Sequence, residues 1–129
     1  MSSIPANLRY TASHEWIRDE GDGVVSVGIT DFAQAKLGDI VYVELPAAGT
    51  AVVAGEPLGV VESVKAASDI YSPVAGIVEA ANGELETGPE RVNADPYEAW
   101  FLRVRLSEPA QLQALLGADG YRAALPENG

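Results

Sequence analysis

The chain has 129 residues, a net charge of −11 and no cysteine. That length suits one domain with a sizeable core, and one histidine without any thiol excludes disulfides, thiolate or multi-histidine metal sites and thiol nucleophiles. Nineteen acidic side chains against 8 basic ones repel phosphate backbones and anionic lipid heads, so no nucleic acid and no membrane is expected as a partner.

The first residues, MSSIPANLRY, carry neither an apolar leader core nor an arginine-rich amphipathic pattern, and a cytoplasmic location is expected. LRYTASHEWIRDE mixes aromatic and β-branched residues with polar ones, Gly21-Asp22-Gly23 makes a turn, and VVSVGI resumes a strand, so this part reads as a hairpin. In TDFAQAKLGD, Thr30 can cap a short helix, Phe32, Ala33 and Leu37 recur at helical spacing, and Gly38 can close it. IVYVELP is a strand ended by Pro46, and AAGTAVVAGEP is a loop-rich link.

The stretch from Leu58 to Ser72 is β-rich but, as one strand, would far exceed the usual ~5–6 residues. Its weakest β-formers are Lys65, Ala66 and Ala67, so a hairpin with its turn at 64 to 67 is the better reading. A long edge strand satisfies the same pattern. VVAGEPLGVVE (52 to 62) and PVAGIVEAANGELE (73 to 86) resemble each other weakly, as two quasi-equivalent β units would.

NGELETGPERVNADPYEA reads as an ordered loop, and WFLRVRL as a half-buried strand over Phe101 to Leu106. SEPAQLQALL then has a Ser107 cap, Pro109 in the first turn and leucines at 112, 115 and 116, which predicts a short amphipathic helix. ADGYRAALPE adds one more helical turn. About seven strands with short helices at the middle and end point to a mostly β sandwich.

Little in the chain suits catalysis. His14 is the sole imidazole, SHEW offers no distinctive nucleophile context, and a strand-end or solvent-facing histidine is the simpler reading. Paired carboxylates such as Glu84 with Glu86 are common in so acidic a chain, and no P-loop or GxGxxG is present. Lys65 stands apart, because only Lys36 and Lys65 are lysines whereas six cations are arginines. A lysine amine is a modifiable nucleophile where a guanidinium is not. At a turn between β-rich halves it projects clear of the sheet, and acylation there would make the net charge one unit more negative.

VESVKAASDIYSPVAG resembles the lipoylation site of the glycine cleavage system H protein family. SHEW (13 to 16), GITDFAQ (28 to 34), LGDIVYVELP (37 to 46), VNADPYEAW (92 to 100) and the LLGADGY terminus are similar to that family's other segments, in order, from Leu8 to Tyr121. A biotinyl domain would flank its lysine with methionines, and a lipoyl domain of a 2-oxoacid dehydrogenase would place Asp before it. Here Val64 and Ala66 flank Lys65.

The resemblance implies a barrel-sandwich hybrid of the lipoyl/biotinyl-domain kind, with two antiparallel sheets and short flanking helices, one at the C-terminus. Residues 1–129 would form a single lipoyl-carrier domain. Lys65 would hold lipoate through an amide, as N6-lipoyllysine. Glu62 and Gly76 match positions read by the attaching enzyme, a lipoate ligase or octanoyltransferase. Ser13, Glu15 and Asp69 match residues lining the cleft where the loaded arm rests, and Phe32 stands where some members have histidine.

The implied function is that of a non-catalytic shuttle. It would take an aminomethyl group from the pyridoxal-phosphate-dependent glycine decarboxylase (P protein) to the aminomethyltransferase (T protein), which uses tetrahydrofolate. Reducing equivalents would go to dihydrolipoamide dehydrogenase (L protein). An H-like lipoyl donor or relay for other lipoyl enzymes is the alternative that shares the same residues.

Overall fold

The computed structural model describes residues 4–125. Its strands form two antiparallel sheets. The six-stranded sheet has the order β1 (Arg9–Tyr10), β2 (Glu15–Gly21), β3 (Val24–Ile29), β9 (Leu102–Leu106), β8 (Gly76–Ala81) and β5 (Ala51–Val52). The three-stranded sheet is β4 (Ile40–Glu44), β6 (Pro57–Ser63) and β7 (Ala67–Tyr71). Inward residues alternate along the strands: Ile17, Val25, Val27 and Val104 from the first sheet meet Val43, Val61 and Ile70 from the second in one core. The expected mostly β, two-sheet architecture with short helices is what the chain adopts, and the sheets do not close into a barrel.

Nine strands replace the expected seven or so, because β1 and β5 are two-residue pairings that carry no periodic signal. The β2–β3 hairpin turns at Asp22, as read, with Gly21, Asp22 and Gly23 all at positive φ. Helix α1 (Asp31–Leu37) also forms as expected: the Ala33 N–H donates to the Thr30 hydroxyl at 3.2 Å, and Gly38, at φ 83°, returns its own N–H to the Gln34 carbonyl.

Leu58 to Ser72 divides into β6 and β7, with Glu62 opposite Ala67, so the hairpin reading holds and the single edge strand does not. Only residues 64 to 66 lie between the two strands. No glycine is needed there because the Ser63 hydroxyl oxygen accepts from the N–H groups of Lys65 and Ala66, each at 3.2 Å. The Ser63 N–H closes the turn on the Ala66 carbonyl at 2.8 Å.

Three expectations fail locally. The region expected to be a loop winds into α2 (Glu84–Thr87) and α3 (Arg91–Ala94), one turn each. Both form because Leu85 and Val92 are fully buried and Asn82 takes the Glu84 N–H. The short helix expected after Ser107 forms, as a 3-10 helix over Pro109–Ala114, but without the expected cap. Ser107 does not cap it; its N–H is committed to the Ala75 carbonyl. The two look-alike segments are not equivalent either, since Gly55 sits in a left-handed turn and Gly76 in an extended strand. The terminal helix, α4 (Ala118–Ala124), forms as expected; Pro126 and Glu127 lie outside the described residues.

A second, smaller core joins β1 and β2 to α4. Trp16 is fully buried and donates its indole N–H to the Pro96 carbonyl at 3.0 Å, and Tyr10 stacks on Tyr121 with centroids 4.7 Å apart. That packing anchors α4 beside the start of β2. Among the described residues no helix is long and apolar enough to cross a membrane.

Gly76 owes its identity to close approach, not to the positive φ that a turn would require. A β-carbon there would stand 2.1 Å from the Arg105 carbonyl oxygen on β9. Gly76→Ala must therefore spread the β8–β9 pairing, and urea unfolding should show a loss of about 1–3 kcal/mol. A change within about 0.5 kcal/mol, the usual range for neutral surface substitutions, would contradict the close approach.

Candidate functional site

The hairpin tip between β6 and β7 carries Lys65 in an exposed position. The Val64 N–H donates to the Asp39 carbonyl at 3.0 Å, which pins the tip against the start of β4. The lysine stem runs past Gly38: a β-carbon on that glycine would lie 3.3 Å from Lys65 Cε. Glycine at 38 thus ends α1 and also leaves a track for the lysine chain.

That track borders a cleft of about 430 Å³ between the two sheets and α1. Ile29, Ala33, Leu37, Val61 and Ile70 give it an apolar wall. Ser13, Glu15, Lys36, Lys65 and Asp69 supply the polar groups, and both lysines of the chain are among them. Two smaller clefts, about 230 and 280 Å³, hold none of the expected site residues. The larger one has the size and mostly apolar lining of a small-molecule site.

Glu15 is its most unusual member. It begins β2, is only 2% exposed, and accepts from the hydroxyls of Thr11 at 2.5 Å and Ser13 at 2.6 Å. The Tyr71 N–H of β7 reaches its other oxygen at 3.4 Å. Burial still pushes the carboxyl above its ordinary range, outweighing these donors. Among the described residues no cation lies within ion-pair distance of Glu15.

The expected residues therefore divide. Ser13, Glu15, Lys65 and Asp69 meet at one cleft. Glu62 is exposed on β6 and faces away from the core beside inward Val61, whereas Gly76 belongs to the other sheet. His14 and Lys36 line the cleft as well, and sequence reasoning did not select them. Lys36 was legible in part, since Ala33 and Leu37 share its helical neighbourhood. His14 was not: it ends the approach to β2, as read, but its ring lies 4.7 Å from Phe32 instead of in solvent. Burial first, then Lys36, hold its imidazole below the ordinary range.

The glycine cleavage H-protein family model matches residues 8–128. A glycine cleavage system H protein from Laribacter hongkongensis is 61% identical over 122 residues, 94% of this chain and 96% of that protein. Glycine cleavage system H protein 2 of Pseudomonas aeruginosa is 57% identical over 129 residues and the full length of both. The crystal structure of a glycine cleavage system H protein from Mycobacterium marinum superposes with a TM-score of 0.84 at 40% identity, covering 93% of this chain and 97% of that one.

Glu15 makes stability depend on pH with a definite sign. Its folded pKa lies above the unfolded value of about 4.5, so its contribution is fully present below that value and is lost as pH rises through the folded pKa. Urea unfolding at pH 5 and pH 8 should show a smaller loss with rising pH for Glu15→Gln than for the parent. Equal losses would show that the carboxylate is not strained by burial.

Proposed function

The chain belongs to the glycine cleavage H-protein family, and we propose that it acts as a single lipoyl-carrier domain in which Lys65 bears the lipoyl group. The observation that carries this reading is the conjunction of an exposed lysine on a braced turn with an apolar cleft whose buried carboxylate has no cation at ion-pair distance among the described residues. The residues present suit the group. An aliphatic arm starting at Lys65 can lie along Leu37, Val61 and Ile70, shielded from water, and its cationic cargo can meet Glu15 and Asp69.

When bound, the lipoyl group supplies a disulfide that accepts a one-carbon amine and two electrons. The protein's own part is presentation and shelter. The turn fixes the backbone from which the Lys65 stem and its amide would extend. Thr11 and Ser13 hold Glu15 so that an incoming ammonium finds an oriented acceptor, not one that must reorganise. Acylation of Lys65 also removes one of two cations from the cleft, leaving Lys36 against Glu15 and Asp69. The modified cleft then favours a positive cargo more than the unmodified one does.

On this reading the partners are the P, T and L proteins of glycine cleavage, and the modifying enzyme is a lipoate ligase or octanoyltransferase working in the cytoplasm. Glu62, exposed three residues before Lys65 on the same strand, is available to that enzyme. Gly76 acts at one remove: its tight contact with β9 maintains the sheet behind the hairpin.

Intact-mass measurement after co-expression with the attaching enzyme should show one lipoyl increment, absent in Lys65→Arg. An unmodified parent would overturn the carrier reading. In a reconstituted glycine–CO2 exchange assay with P protein, the modified protein should support exchange, and failure there would favour the relay role. Glu15→Ala should shorten the lifetime of the loaded protein about tenfold, as expected for loss of a charged hydrogen bond. Asp69→Ala, at an exposed carboxylate, should shorten it by less.

A further inference from the structure

His14 has a backbone φ of 74°, in the left-handed region that non-glycine residues rarely occupy. Flanking hydrogen bonds hold it there: its N–H donates to the Thr11 carbonyl at 3.1 Å, and its carbonyl accepts from the Thr30 N–H at 3.0 Å. Such strain persists where the surroundings demand a particular side-chain direction. Here that direction brings the ring to the cleft wall and places Nδ1 2.8 Å from the Tyr121 hydroxyl. The same hydroxyl lies 2.8 Å from Thr30 Oγ1.

The three polar atoms admit two head-to-tail orders of donation, and burial distinguishes them; were Tyr121 to accept from both neighbours, its own buried proton would have no acceptor among the described residues. Thr30 is 0% exposed and Tyr121 1% exposed. Thr30 Oγ1 already accepts from the Ala33 N–H, a group that can only donate. If His14 Nδ1 carried the proton, it would donate to Tyr121 and Tyr121 to Thr30, and the buried threonine proton would have no acceptor among the described residues. In the opposite order, Thr30 donates to Tyr121 and Tyr121 to His14 Nδ1, so every proton is used. Burial pushes the Tyr121 phenol up to about 12, so it remains a donor throughout the working pH range.

We infer that Tyr121 is a positioning residue of the cleft: its hydroxyl, itself receiving the Thr30 proton, donates to His14 Nδ1 and fixes His14 as an uncharged imidazole whose proton sits on Nε2. Protonating His14 would require Nδ1 to become a donor and would reverse the whole chain. The charged groups around the ring are Lys36 on α1, Glu15 next in sequence, and Lys65 and Asp69 on the other side of the cleft. An imidazolium would add a cation beside Lys36 and compete with a positive cargo for Glu15 and Asp69. The consequence for cargo rests on the carrier reading; the tautomer does not.

His14 is the only histidine, so its ring signals in the 15N-labelled unmodified protein are unambiguous. Long-range proton–nitrogen correlation at pH 8 should show the Nε2–H form exceeding the Nδ1–H form about tenfold or more, as expected when the alternative strands one buried hydroxyl. Titration should place the midpoint below the ordinary ~6.5. Tyr121→Phe keeps the ring that stacks on Tyr10; it should raise the midpoint towards that value and increase the Nδ1–H share several-fold. A wild-type Nδ1–H form, or identical titrations in the two proteins, would overturn the inference. Should Tyr121→Phe fail to fold, the wild-type tautomer and midpoint still decide it. Intact mass at Lys65 separates the outcomes: an unmodified lysine with the Nε2–H form retains the positioning role while the carrier reading falls.

Discussion

The constraint around which the site is built is a carboxylate held almost out of water. Glu15 opens β2 in the larger sheet, and its second oxygen is met by the Tyr71 N–H of β7 in the smaller one. One side chain thus touches both layers at the point where they part to form the cleft. Burying a charge is costly unless donors surround it, and the Thr11-Ala12-Ser13 approach to β2 supplies two hydroxyls for that purpose. The apolar wall, the left-handed His14 and residues of α1 line the same cleft as this carboxylate.

Electrostatics elsewhere contribute less. The ion pairs between Arg18 and Glu20 and between Arg105 and Glu79 are partly exposed and belong to the class worth about 0–1 kcal/mol. The net charge of −11 acts at longer range, favouring encounters with basic surfaces. Cohesion comes from the packed sheet interiors and from the aromatic cluster of Tyr10, Trp16 and Tyr121 that joins β1 and β2 to α4.

What could be read from the sequence was whatever is encoded locally. Thr30 and Gly38 bracket α1 with cap chemistry, Asp22 and its glycines mark a turn, and Lys65 falls among the weakest β-formers of its stretch. The family segments were legible because they lie in order along nearly the whole chain. What escaped was set by tertiary contact. Arg9–Tyr10 and Ala51–Val52 become strands only because a partner is present. Leu85 and Val92 wind a glycine- and proline-rich stretch into helical turns by being buried. The burial of Glu15, the inward ring of His14 and the contact that forces glycine at 76 are properties of the assembled sheets. No local pattern announces them.

The braced turn has a consequence for reach. Ser63 holds two amides of the tip and Asp39 holds a third, which ties the backbone at Lys65 to the fold beside the cleft. For a tethered group, local abundance at a nearby surface depends on tether length and on how far its origin moves. With the origin fixed beside the cleft, the proposed arm would be the only moving part, and the cleft would compete with each partner enzyme at an effective concentration set by the arm's own length.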